Sequence, residues 1–565
     1  MVSLFNSLNI TANALKVNES AISVVSHNVA NMNTEGYSKQ KVNLATRNLS
    51  GSIGDSTEAQ IRANGGVKIA NIMRYNDSYL NNYYRDQLST LKGYEAQLGN
   101  LKDLANVFDD LDGKGISDAL ASFYEAVNNL NEYPASSTAR INFIESAKTL
   151  TSTLNAKSAQ LSELTTKSLG DGSSRELLEN SEIYHTFSTF NDKLYELAEI
   201  NKALQVTQTG TLHANNLLDQ RDMLLNDIAQ YVDINVEEHP INGSVTLYIA
   251  GEEMVKGAKV VGEFELRTAQ EFVALPGDNY NTYPDDWIIT DENGIPIKDD
   301  FGQNIPREAA VISIVRKTDN GIETILADAN SVLTTGSIGG LLHSGDVQSD
   351  QMTAGVAQKA LDSIALAIAQ EFNKLNTDSK AYCINPANTG ELKATTEQNF
   401  IFGEAVAIVD PITNQITGYE LAPLTAANIS VNSNLLKEGG EWNIACAYFE
   451  DMNNFNINAV GNSQNVVAML GTRNEKINGL SNLSIEDYYT NLLGKIASGG
   501  SNGEALVETQ QNVVDAIQDK IHSNNSVDIN EELVDLVKYQ TAYTAAAQVF
   551  NTCNSCLNTL MALGG

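Results

Sequence analysis

The two ends of this chain carry the same heptad spacing, with nearly the whole sequence between them. At the front, Leu4, Leu8, Thr11, Leu15, Asn18, Ile22, Val25, Val29 and Met32 alternate steps of four and three. At the back, Ile529, Leu533, Leu536, Gln540, Tyr543, Ala547, Phe550, Asn554, Leu557 and Met561 do the same. Such steps keep a stripe on one side of a slightly underwound helix, so that it can lie along a second helix. A lone helix has little to bury the stripe against. The partner is either the other end of this chain or a neighbouring copy. Assembly therefore comes ahead of catalysis as the expectation.

Composition narrows the class. At 565 residues the chain should hold several domains, and 42% hydrophobic content is enough for real cores. No run approaches the ~20 apolar residues needed to span a bilayer, so no membrane contact is expected. No Lys or Arg precedes Lys16, and Asn, Thr and Ser interrupt the early apolar residues. A cleaved Sec-type leader is not expected from that pattern. The formal charge is −34. It is concentrated in residues 236–335, where 7 basic and 18 acidic residues give 7 − 18 = −11. A surface this acidic repels phosphate backbones, which excludes nucleic acid as a partner.

Periodicity divides the chain. Residues 1–32 read as an amphipathic helix that stops near Asn31 to Asn33. Gln40 to Ala45 alternates weakly as a short strand, and residues 48–66 look like a loop or linker. Helical patterns run from about Asn76 to Tyr231, with a short break at 170–174. From Val232 to about Leu333 the pattern is strand-like. Val311 to Val315 suits a strand buried on both faces, and Asp291-Glu292-Asn293-Gly294 sits between two strand-like runs as a hairpin turn. Helix returns at Ser349–Leu375. Residues 376–460 are mixed and carry 3 − 10 = −7. From Ser463 the pattern is helical to the end, with a break expected around Gly499 to Gly503.

The expected fold class is mainly α with β-rich insertions. Paired N- and C-terminal coiled-coil helices would form one unit, from 1–66 and 505–565. An elongated helical-bundle core would take 67–231, 336–375 and 461–504. Two inserted domains, 232–335 and 376–460, would face outward. The candidate assembly seam is Leu4, Leu8, Leu15, Ile22, Val25 and Val29 with Leu533, Leu536, Gln540, Tyr543, Phe550 and Leu557. Asn18, Gln540 and Asn554 interrupt the seams; they either set register through a partner amide or lie on plain surface turns. Tyr539 and Tyr543 share a helix face, as core packing or as a subunit contact.

Three segments carry a family resemblance. Asn28-x-x-Asn31-x-x-Thr34-x-Gly36-Tyr37 resembles the signature of bacterial flagellar axial proteins of the rod, hook and junction. Asn215-x-Leu217-Leu218-Asp219-Gln220-Arg221-Asp222, followed by a strand-like run, is similar to the core segment of flagellar hook-filament junction proteins. So is Asn530-Glu531-Glu532-Leu533-x-x-Leu536-x-x-Tyr539-Gln540-x-Ala542-Tyr543-x-Ala545. Gly339-Gly340-Leu341-Leu342, with the later helix ending Glu371-Phe372-Asn373, agrees. One departure is Leu342-His343-Ser344-Gly345, where the family more often continues with an aromatic and a basic residue.

The resemblance implies a structural adaptor joining hook to filament, whose terminal helices continue the inner tube. It implies further copies in a ring, hook protein on one side, and a second junction protein and the filament on the other. It implies an export chaperone at about 505–565, and export by the flagellar type III apparatus to the cell exterior without a cleaved signal peptide. A hook protein or flagellin is the alternative within the class. A surface adhesin acting through the insertions is the alternative outside it.

Enzyme motifs are missing from the sequence. None of the six histidines stands in His-Glu-x-x-His, and no Gly-x-Ser-x-Gly elbow occurs. Gly336-Ser337-Ile338-Gly339-Gly340 lacks the Lys-Ser/Thr of a phosphate loop and reads as a turn. Asp291, Glu292, Asp299 and Asp300 do not match a calcium loop. Cys553 and Cys556 are one helical turn apart, but no second Cys/His pair is near, so neither metal nor disulfide is expected. His27 reads as structural. No enzymatic activity, cofactor or metal is expected.

Overall fold

Side chains that satisfy the free N–H groups of a first turn set where this chain's long helices begin. Asp77, Ser136, Ser181, Thr211, Thr353 and Ser484 each accept from the N–H three residues on. The computed structural model describes residues 2–48, 64–109, 115–170, 174–268, 311–318, 321–326, 329, 332–346, 349–384, 392–394, 399–409, 415–449 and 461–563.

Helix α1 (Val2–Ala30) leads into an antiparallel ribbon, β1 (Gln40–Asn48) and β2 (Asn64–Arg74). Helices α2 (Ser78–Val107), α3 (Ile116–Glu132), α4 (Ser137–Leu169), α5 (Arg175–Glu179), α6 (Glu182–Val206) and α7 (Leu212–Ala229) follow. Strands β3 (Asn235–Glu238), β4 (Val245–Ile249), β5 (Glu252–Lys256) and β6 (Lys259–Val260) make a four-stranded meander. Strands β7 (Glu263–Arg267), β8 (Val311–Thr318) and β9 (Gly321–Leu326) make a second sheet. Helices α8 (Gly336–His343) and α9 (Ala354–Asn376) return to the helical body. Strands β10 (Ala381–Ile384), β11 (Leu392–Ala394), β12 (Ala405–Val409), β13 (Ile416–Leu421) and β14 (Ala447–Tyr448) form a three-stranded sheet and a separate hairpin. Helices α10 (Gln464–Gly471), α11 (Ile485–Asn525) and α12 (Ile529–Leu563) end the described chain. The fold class is the expected one, mainly helical with β insertions and with the two terminal helices packed together.

Two large cores hold the body. In the first, Phe123 lies 5.3 Å from Phe143, 5.0 Å from Phe372 and 5.8 Å from Phe402, ring to ring. Each such fully buried ring contributes roughly 2–3 kcal/mol by removal of apolar area from water. Ile401, Phe402, Ile429, Val431 and Cys446 belong to this core, so the described part of 376–460 is built into the helical body. Its hairpin β12–β13 exposes Val406, Ile408, Val409 and Ile416. The second core packs the inner faces of the β3–β6 and β7–β9 sheets on α6 and α7, through Phe187, Phe190, Leu225, Leu247 and Phe264. Ile312, Ser313, Ile314 and Val315 are all buried, as a two-faced central strand requires.

Three local expectations are corrected. Residues 67–75, given no strand, include most of β2, whose alternation is broken by a register shift opposite Asn43 and Leu44. Gly336 to Gly340 forms the start of helix α8 rather than a turn. Gly336 adopts φ +70° with its Cα turned against the Tyr231 carbonyl, and Gly340 lies against Gly93 of α2. Lastly, α11 runs unbroken through Gly499 to Gly503, because Gly499 and Gly503 face Leu101 and Leu98 of α2 and let the two helices approach. The real interruption is at 472–484, where short 3-10 turns separate α10 from α11. The expected hairpin turn at Asp291 to Gly294, the acidic pair Asp299 and Asp300, and most of the 48–66 loop lie outside the described residues. No described helix is long and apolar enough to cross a membrane.

Candidate assembly site at the terminal-helix base

The first and last helices run in opposite directions. Asn28, near the end of α1, meets Glu532 in the first turn of α12. One helical turn and more along, Val24 and Val25 share an apolar cluster with Leu536 and Tyr539. Helix α1 has a second neighbour, since Val42, Ile69 and Ile72 of the ribbon join that cluster. The buried positions of α1 are accordingly Val17, Ala21, Val24, Val25 and Asn28, a face turned toward both partners. Of the expected seam, Val25 is buried, while Leu4, Leu8, Leu15, Ile22 and Val29 are half-buried.

On α12 the covered face is rotated from the expected one. Glu532, Leu536, Tyr539, Ala546, Phe550, Cys553 and Leu557 are buried or half-buried. They keep the four-three spacing if Tyr543, 39% exposed, is counted with them. Leu536, Tyr543, Phe550 and Leu557 are common to both stripes, and Ala547 of the expected stripe is half-buried too, so the two differ chiefly in the first turns of α12. Leu533 is 48% exposed and Gln540 is exposed. The physical reason is polar. Glu532 faces inward because Asn28 donates to it at 3.0 Å and Lys39 lies 3.5 Å from it, which turns Leu533 outward. Asn18 donates to the Ala14 carbonyl of its own helix, so within this chain it pairs with no partner amide. From Tyr539 onward, and before Lys16, no side chain is charged. Phe5, Val549, Leu560 and Met561 are exposed along that uncharged end of the pair.

The motif after α1 is a hydrogen-bonded clamp centred on Asn28. Its side-chain amide donates to the Gln40 carbonyl (2.8 Å) and to Glu532, while its oxygen accepts from the Gln40 N–H (3.1 Å) and the Tyr37 hydroxyl (2.6 Å). Its hydrogen-bonding capacity is thus filled, as a buried amide requires. Tyr37 also lies 3.1 Å from His27 Nδ1. Burial pushes the Tyr37 hydroxyl well above its ordinary pKa, and Asp219 and Glu532 push it further. Asn31 caps the helix by donating to the His27 carbonyl, and Thr34 donates to Asn31. Gly36 has φ +74°, and a Cβ there would stand 2.3 Å from Met223 Cγ on α7. Only glycine meets both conditions without strain.

The second motif, on α7, lies against the first. Ser38 N–H donates to Asp219 (3.5 Å), and Gln40 is held by Asn215 (2.9 Å) and Asn216 (3.2 Å). Arg74, at the end of β2, donates to Asp219 at 2.6 Å and to Asp222 at 2.5 Å. Asp222 also receives Arg221 at 2.7 Å, Asn76 at 3.2 Å and Arg85 of α2 at 3.5 Å. Arg221 reaches on to the Gly243 carbonyl and to Glu238 of β3. Burial raises the Asp222 carboxyl, but Arg74, Arg221 and Arg85 together outweigh it and hold its pKa at about 2. Burial also raises Asp219, and there Arg74 and Ser38 offset it only in part. A buried ionic cluster of this kind adds little net stability, yet loss of one member leaves the others uncompensated. Its effect is to fix the ribbon, α2, α7 and β3 in one mutual arrangement.

Chain folding therefore brings together the two motifs read from the sequence. Asn28, Asn31, Thr34, Gly36 and Tyr37 form one side. Asp219, Arg221 and Asp222 form the other, with Leu217 and Leu218 half-buried and Gln220 exposed. The sequence reading missed Gln40, Arg74, Arg85 and Asn216. A basic residue on the Leu88 face of α2 was the one available signal for Arg85. Cys383 and Cys446 are buried, Cys553 is half-buried and Cys556 exposed. Among the described residues, no group of three or more His, Cys, Asp or Glu side chains is placed to hold a metal.

Comparison with known proteins finds flagellar families. Residues 8–37 match the model of the flagella basal body rod protein family, which covers most of α1 and the Asn28 to Tyr37 motif. Residues 101–283 match a more particular model, the helical domain of flagellar hook-associated protein FlgK. The flagellar hook-associated protein 1 of Bacillus subtilis (strain 168) is 24% identical over 97% of this chain and 96% of its own length. That of Salmonella typhimurium is 23% identical over 98% of this chain and 99% of its own. The structure of the flagellar hook junction protein FlgK from Burkholderia pseudomallei shares the fold, with a TM-score of 0.50 at 13% identity over 79% of this chain and 100% of that one. The chain thus resembles the flagellar hook-filament junction proteins, hook-associated protein 1, in sequence along nearly its whole length.

Proposed function

We propose that the chain is a non-enzymatic structural adaptor that joins the flagellar hook to the filament and self-assembles through its terminal helices. The observation that carries this reading is the antiparallel pair of α1 and α12, clamped at Asn28, with Leu533, Val534 and Val537 left exposed on its outer face. An apolar stripe on a paired helix is a surface that a neighbouring molecule covers. The relatives' shared description as hook-associated proteins supports the placement.

On this reading, copies form a ring in the tube, hook protein meets one side, and a second junction protein and the filament meet the other. An export chaperone engages 505–565 before assembly, and the product stands outside the cell. Residues 1–66 with 505–565 line the tube. The segments 67–231, 336–375 and 461–504 form the next shell, joined by the described part of 376–460 that is built into the same core, with 232–335 outward. The segment Leu217 to Asp222 sets the angle between tube and shell through Asp219 and Asp222. Gold-labelled antibody raised against the folded chain tests the placement. Label confined to the hook-filament boundary is expected; label along the hook, along the filament or at the rod contradicts it.

A further inference from the structure

Helices α2 and α11 run antiparallel. Gln510 meets Gln87, Gly503 meets Leu98, Gly499 meets Leu101, and Tyr489 meets Phe108. Two apolar clusters hold this pair. Nearer the terminal helices, Leu88, Leu91 and Val514 pack together with Tyr84 and Val507. Toward the body, Leu104, Phe108, Tyr489, Leu492 and Ile496 belong to the large core. Between Ile496 and Val514 no residue of α11 is buried.

That interval contains Ala497-Ser498-Gly499-Gly500-Ser501-Asn502-Gly503, in which alanine is the one strong helix former. Gly499 and Gly503 have a packing reason, since they face Leu101 and Leu98. Gly500 has none: a Cβ there would meet nothing within 4 Å. Gly99 of α2, beside Leu98, is equally open. Both are helical glycines with ordinary dihedrals, so neither a turn nor a close approach calls for them. Each increases backbone freedom in its helix without any compensating contact.

We propose that α2 and α11 share a flexure at the level of Gly99 and Gly500, between the base-side cluster and the large helical core. Both helices are weakened there at one level, and firm packing on either side keeps the bend local. The flexure stands on the two helices alone; its use, letting the Phe123 core change its angle to the base while the Asp222 cluster keeps α7 and β3 fixed to that base, rests on the adaptor reading.

Amide hydrogen exchange on the full-length monomer tests it without reference to any filament. Exchange at 497–504 should be at least about tenfold faster than in the flanking stretches 485–496 and 514–520 of the same helix. The double variant Gly99→Ala/Gly500→Ala adds methyl groups into open space. It should slow exchange at 497–504 by roughly fivefold, the factor corresponding to the helix-propensity gap between glycine and alanine. Gly494→Ala, also open but on the body side, should leave 497–504 unchanged. Uniform exchange along α11, no response to the double variant, or an equal response to Gly494→Ala would each overturn the proposal.

Discussion

Asn28 donates its side-chain amide to the Glu532 carboxylate at 3.0 Å, across a sequence separation of 504 residues. One hydrogen bond thus ties the last turn of the first helix to the first turn of the last. Asn28→Ala removes this bond and three others, leaving the Gln40 backbone and Glu532 short of partners. The expected cost is about 2–4 kcal/mol, since buried groups lose more than a bond's net value when orphaned. Thermal unfolding measures the loss, and protease sensitivity at 529–545 reports where it falls. An unchanged melting temperature with a protected α12 would contradict the clamp.

Leu536 and Leu533 separate folding from assembly. Leu536 packs on α1, so Leu536→Asp places a charge in the intramolecular seam and costs several kcal/mol in the isolated chain. Leu533 points outward, and Leu533→Asp should leave monomer stability within about 0.5 kcal/mol. Both variants should fail to incorporate into the junction. Denaturant melts of the monomers, beside filament counts in complemented cells, give the two readouts. Normal filaments with Leu533→Asp would remove the outer face of α12 from the assembly contact.

Gly36 and Met223 form a coupled pair. Gly36→Ala meets a left-handed backbone, costing about 1 kcal/mol, and the Met223 side chain, adding roughly another 1–2 kcal/mol. In a Met223→Ala background only the backbone part should remain. A double-mutant cycle by thermal melting isolates the coupling. Strictly additive effects would mean that the two motifs do not press on each other at this point.

Asp222 predicts a particular acid dependence. Its pKa falls from the ordinary carboxyl value of 3.8 to about 2 in the fold. A depressed carboxylate contributes stability that is present above the unfolded value and is lost as pH falls through the folded one. The window is therefore about pH 4 to 2, and the amount on the order of 2 kcal/mol. Asp219, whose pKa is raised, works in the opposite sense, so its protonation on acidification does not add to the loss. Asp222→Asn should be strongly destabilising at pH 7, and its deficit should shrink as pH falls from 4 to 2. A deficit that stays constant across that range would show that Asp222 is not ionised in the fold.

Much of this was legible in the chain. The stripes of α1 and α12, the polar stop after Asn31 and the two motifs all use local spacing, which a sequence displays directly. The rotation of the α12 face was not legible, because hydropathy favours Leu533 over Glu532, and only the fold supplies Asn28 and Lys39 to bury the carboxylate. The ionic cluster was equally hidden. Arg74 and Asp219 stand 145 residues apart, and nothing local marks either as the other's partner. Gly499 to Gly503 misled for a related reason: a glycine-rich run reads as a break until Leu98 and Leu101 are found opposite it.

The most direct measurement is electron microscopy of a deletion strain, with flagellin assayed in the culture medium. Bare hooks, with flagellin shed into the medium, are the predicted result. Filaments of normal length on intact hooks would contradict the adaptor account outright.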